Sequence, residues 1–146
     1  MDEDALAGEC CGSGSAGACV FSKALLARSA ACELAQRSSR GEQESIACRV
    51  PVARINCSTL AALLHERARF ALRLPAPGRP LMHVHALRLQ CGGLAALTEV
   101  MDGGGDVHRM VAAARERHGS LADLPWERIV PAVAGWQPRR RTPRRE

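Results

Sequence analysis

The chain contains no tyrosine and only two phenylalanines and two tryptophans. Proteins that grip single-stranded nucleic acid stack bases on aromatic side chains, so that class has little support here. Lys23 is the one lysine among 20 basic residues. That arginine excess, with abundant Ala and Gly, fits a GC-rich, bacterial-type coding sequence and needs no functional cause. The seven cysteines include no Cys-x-x-Cys pair, so the strongest signature of a zinc or ferredoxin-type site is missing. A phosphate loop, a nucleophile elbow and a paired-carboxylate motif are also missing, and no autonomous hydrolytic activity is expected.

No run of residues approaches the ~20 apolar positions of a membrane span. The start, Met1-Asp2-Glu3-Asp4, is acidic where a secretory leader is basic. The expectation is therefore a cytoplasmic protein with no membrane partner. Disulfides rarely persist in that compartment, and the cysteines need another explanation.

Large apolar residues are scarce as well. Leu, Ile, Val and Phe total 30 of the 146 residues, close to the composition below which chains stop folding alone. A core this thin gives marginal stability, and a bound metal or a protein partner could supply the deficit.

What is present divides the chain into three stretches. Residues 1–20 are rich in Cys, Gly and Ser and read as a flexible segment. Residues 21–137 read as one small, mainly α domain with one or two short strands. Residues 138–146 read as a disordered basic tail: its five Arg and one Glu carry +4 of the net charge of +5. That tail could touch polyanions without sequence preference.

Within the domain, Leu25, Leu26, Ala30 and Leu34 suggest a helix from Phe21 to about Arg37, capped by Ser22 and ended by Ser38-Ser39-Arg40-Gly41. Ile46–Val50 suggests a strand or extended connection closed by Pro51. Leu60, Leu63 and Leu64 mark the clearest helix, expected to start near Ser58 with Ser58 or Asn56 as cap. Phe70, Leu72 and Leu74 alternate like a short strand. Leu81–Cys91 favours helix, with Gly92 as its stop. Leu94–Met101 and Val107–His118 follow as helices, the second capped by Asp106. Trp126, Ile129, Val130 and Val133 form the apolar face of a last helix, with Asp123 as cap and Pro125 in its first turn.

Four cysteines fall in the domain: Cys32, Cys48, Cys57 and Cys91. Four thiolates are the right number for a 4Fe–4S cluster or, as the alternative, a closed zinc site. Their wide spacing favours the cluster, which is large enough to gather ligands singly. Cys57 at a helix cap would gain a lowered thiol pKa, and Cys91 precedes Gly92-Gly93, where amides can reach the sulfur. Cys10, Cys11 and Cys19 read as exposed thiols on the flexible segment. His83 and His85 would share a face only on a strand, and the helical reading separates them. Asp102-Gly103-Gly104-Gly105-Asp106 reads as a loop. The expected function is a small metal-binding accessory protein that holds an iron–sulfur cluster through Cys32, Cys48, Cys57 and Cys91. The alternative is a cofactor-free helical adaptor whose cysteines merely pack and whose partner is another protein.

Overall fold

The computed structural model describes residues 17–76, 79–102 and 106–137. The expected flexible segment up to residue 16 and the expected basic tail from residue 138 lie outside the described residues.

Strand β1 (Gly17–Ala18) leads into helix α1 (Ser22–Leu26), and a loop then reaches the hairpin β2 (Ala35–Arg40) and β3 (Gln43–Cys48). The sheet order is β1-β3-β2, antiparallel throughout. Helix α2 (Pro51–Leu72) is the longest element. Helix α3 (His83–Leu87) runs through a π-helical turn, Arg88–Gly92, into α4 (Gly93–Val100). Helix α5 (Val107–His118), a 3₁₀ turn (Leu121–Asp123) and α6 (Trp126–Gly135) complete the domain. The fold is thus mainly α with a small sheet, as the composition and periodicity imply.

Its core is the buried stripe of α2, Cys57, Leu60, Leu64, Ala68 and Leu72, facing α5, α6 and the π-helical turn. The stripe repeats every three or four residues, one face of a helix. Leu94 and Leu97 of α4, Val111 and Ala114 of α5, and Ile129 and Val133 of α6 close over it. Arg67 of α2 lies over the Trp126 ring at 5.7 Å, and the indole N–H donates to the Ala122 carbonyl.

Several expectations from the sequence change. Gly17 and Ala18, read from the sequence as part of the flexible segment, pair with β3. The helix expected over 21–37 stops at Leu26, and Arg28 adopts a left-handed φ of 61°. Ala35–Arg40 then forms a strand, since Gly41 (φ 60°) turns the chain and β3 offers it a full ladder of partners. Backbone pairing outweighs the weak helix propensity of this Ser/Arg/Gln stretch.

Helix α2 starts at Pro51 rather than near Ser58. Proline at the first helical position has a pre-set φ and lacks only an N–H that would have no helical partner. The helix also continues through Phe70 and Leu72 and closes with Arg73 in the left-handed region, whose amide and that of Leu74 satisfy the last carbonyls. Phe70 is 87% exposed while Leu72 and Leu74 are buried, so the apparent alternation reflects a helix end. Gly92 does not stop its helix. A Cβ on Gly92 would stand 3.0 Å from Trp136 Cβ, and one on Gly93 would stand 2.5 Å from Leu64 Cδ1. These two glycines serve close helix packing instead. Asp123 ends the 3₁₀ turn, and Pro125 takes the cap position of α6.

Candidate metal centre

The sheet gathers thiols at one end. Cys48, the last residue of the central strand β3, is paired with Gly17 of β1 on one side and Ala35 of β2 on the other. Cys19 follows Gly17 by two residues, and its amide donates to the Ile46 carbonyl, extending the β1–β3 pairing. Cys32 precedes Ala35 by three residues, and its carbonyl accepts from the Ala35 amide. Helix α2 leaves the end of β3 and folds back, so that Cys57, in its second turn, enters the same space. Cys19, Cys32, Cys48 and Cys57 line one small cavity with Phe21, Leu25, Ala35 and Val107. Its enclosed volume is about 10 Å³, room for roughly one water, so a larger group would need the lining to move apart.

Three of the four cysteines expected from the sequence therefore share a cavity, and Cys91 does not line it. Cys91 sits in the π-helical turn, 2% exposed, and lines a separate groove with Ser29, Leu87 and Trp136. Cys19, assigned by its Gly/Ser-rich context to the flexible segment, stands in the fourth place. The signal that marks it is the apolar pair Val20-Phe21 directly after it. Phe21 is 1% exposed and anchors this turn in the core.

The thiols differ in their surroundings. Burial pushes the Cys57 thiol up to about 12, and the neighbouring Cys19, Cys32, Cys48 and Asp106 push in the same direction. The expected cap effect is absent, because Cys57 lies a full turn inside α2 and not at its first amides. Burial also raises Cys19 and Cys32, but each sulfur faces backbone amides that oppose the rise. The Phe21 amide acts on Cys19, and those of Leu34 and His108 act on Cys32. Burial likewise raises Cys91, and the nearby Ser29 side chain opposes the rise. Cys48 Sγ lies 3.4 Å from the Val50 carbonyl, to which the thiol donates.

Arg54 borders the cavity from α2. Its Nε donates to the Ala18 carbonyl at 2.7 Å, and its charge favours the thiolate of Cys19. Gly17 leaves room for it: a Cβ there would fall 2.7 Å from Arg54 Nε.

Beside the thiols lies a second group. Among the described residues, Glu33, Asp106 and His108 are the one set of three or more potential ligands whose ligand atoms all lie within 4.8 Å of one another. No three described thiols meet that spacing. Sulfurs sharing one zinc at ~2.3 Å would stand about 3.8 Å apart. The described thiols are therefore spread more widely than a single-ion tetrahedron. His83 and His85 lie on helix α3 and do not share a face, and His83 Nδ1 pairs with Lys23 Nζ at 3.1 Å.

Among the described residues, no helix is long and apolar enough to cross a membrane. Compared with family models, curated proteins and solved structures, the chain matches none.

Proposed function

We propose that this chain is a small metal-binding accessory protein that holds a 4Fe–4S cluster through Cys19, Cys32, Cys48 and Cys57 and exchanges electrons with a protein partner. The observation that carries the reading is the lining of one small apolar cavity by four thiols from four different segments.

Three features support it. Cys19, Cys32 and Cys48 oppose the ionisation of Cys57, and a cationic cluster reverses that opposition by binding the thiolates directly. Amide N–H donors already face Cys19 and Cys32, and hydrogen bonds to sulfur are a main control on the potential of such clusters. The ligand sulfurs of a cuboidal cluster stand at the corners of a body larger than one ion, which suits thiols too widely spaced for one zinc. Cys48 and Cys57 are buried, whereas Cys19 and Cys32 are partly exposed. That leaves one edge of the site near solvent, where a partner could exchange an electron.

The test is anaerobic purification of the full chain with iron, sulfide and zinc analysis. Iron and sulfide in equal amounts, lost in Cys19→Ser and retained in Cys91→Ser, support the proposal. Zinc without sulfide replaces the cluster by the alternative cofactor.

A second reading, a cofactor-free adaptor, is favoured by exposed apolar side chains. Val52 and Ile55, 66% and 61% exposed, lie one turn apart on the outer face of α2. Under that reading, serine at all four cavity cysteines costs only packing energy, a few kcal/mol at most. A partner would still bind the quadruple variant.

A further inference from the structure

We propose that Glu33, Asp106 and His108 form a second metal site, open to solvent, that binds a hard or borderline divalent cation such as Mn²⁺. The site adjoins the thiol cavity, which His108 also lines, but its ligands are different side chains.

The three side chains come from two segments held in register by the backbone. Ala31 bridges Asp106 in parallel fashion, and the Val107 amide donates to the Ala31 carbonyl at 2.9 Å. The Glu33 amide donates to Asp106 Oδ1, which fixes that carboxylate and leaves its second oxygen turned elsewhere. Asp106 is the residue before helix α5, yet its side chain makes no capping bond. An aspartate at this position ordinarily caps the helix, so this carboxylate is committed to the group and not to the helix end.

Two of the three ligand separations match a coordination sphere. His108 Nε2 stands 3.0 Å from Glu33 Oε2 and 3.2 Å from Asp106 Oδ2. Ligands bound at ~2.1 Å to one ion, at angles between octahedral and tetrahedral, stand roughly 3.0–3.4 Å apart. Asp106 Oδ2 is buried and takes no hydrogen bond. Its approach to His108 has the distance of an ion pair without the geometry of a hydrogen bond. A buried carboxylate oxygen with a free lone pair is costly unless a cation or donor meets it, and an ion between these three groups meets it.

The donor set selects the class of ion. Two carboxylates with one neutral imidazole offset a divalent charge, and oxygen-rich sets suit Mn²⁺ better than the soft ions that thiolates select. Glu33 is 48% exposed, which leaves room for water as the remaining ligands. Arg109 Nη2 binds the Glu33 carboxylate at 3.1 and 3.2 Å, orienting it and offsetting part of its charge.

The test is titration of the full chain with Mn²⁺, following the electron paramagnetic resonance signal of the free ion. One ion bound per chain is expected, weakened at least tenfold by Glu33→Gln or His108→Ala and unaffected by Cys91→Ser. On the unaltered protein, bound Mn²⁺ broadens the imidazole resonances of His108 before those of His65, His83 and His85, which reads the site even where a variant fails to fold. No stoichiometric binding, binding unchanged in both variants, or preferential broadening of another histidine overturns the proposal.

Discussion

Cys48 lies directly opposite Gly17 in the β1–β3 pairing. Residues paired across antiparallel strands point to the same face, as do residues two apart along a strand. Cys19, two residues beyond Gly17 on a continuing ladder, is thereby carried to the face of Cys48. The missing side chain at Gly17 leaves the space into which Arg54 reaches. This pairing is why Cys19, and not Cys91, joins the cavity.

A side chain at Gly17 should disturb the site without unfolding the domain. Gly17→Val places new atoms against the Arg54 guanidinium, the movable end of a long side chain. We expect unchanged helical circular dichroism and roughly tenfold faster loss of the bound group to a chelator, the usual scale for a displaced supporting residue. Unchanged loss would separate Arg54 from the site.

The thiol of Cys57 should be nearly inert in metal-free protein. With its pKa pushed up to about 12 from an ordinary 9.0, its thiolate fraction near neutral pH is roughly a thousandfold below that of a free cysteine. Alkylation followed by mass spectrometry should modify Cys57 last of the cavity cysteines. The sign of the linked stability follows from the same shift. The unfolded thiol ionises near 9, the folded one near 12, so the unfolded state loses its proton first. This contribution to stability is complete below pH 9 and is lost as pH rises from 9 to 12. Denaturant midpoints of the metal-free protein should fall across that window, and Cys57→Ala should remove part of the fall.

Gly93→Ala should destabilise the domain by about 1–3 kcal/mol, the usual cost of overpacking. The added methyl would meet Leu64, which is 2% exposed and has nowhere to move. Urea unfolding checks the magnitude. No loss of stability would mean that α2 and α4 separate more easily than their contact implies.

Removing residues 138–146 takes the net charge from +5 to +1, since five Arg and one Glu leave. Any affinity for a polyanion such as heparin should then be lost, and in the full chain it should weaken steeply with salt. Urea unfolding should be unchanged. A fall in stability would mean that the arginines pack on the domain.

The helices were legible where apolar residues recur at helical spacing. Leu60 and Leu64 announce α2, and Val107–His118 carries its own stop, ending at Gly119 with φ 82°. The hairpin was not legible, because Ala35–Arg40 is mostly exposed and has no apolar alternation to reveal a buried face. Its strand state depends on partners in β3 that local propensity does not register. Three of the four cavity cysteines stood out by count and compartment. Cys19 did not, since its neighbours to the N-terminal side are Gly, Ser and Ala, and only the pairing of Gly17 with Cys48 brings it in. Cys91 drew attention through Gly92-Gly93, whose small size serves helix packing and not a ligand.

The most direct measurement is the visible spectrum of the anaerobically purified full chain, with iron and acid-labile sulfide determined on the same sample and on Cys19→Ser and Cys91→Ser. The account predicts a broad absorption that bleaches on reduction, with roughly four irons and four sulfides per chain. Cys19→Ser should lose both, and Cys91→Ser should keep them. A colourless, metal-free protein that is fully folded would contradict it, and so would a cluster that depends on Cys91 and not on Cys19.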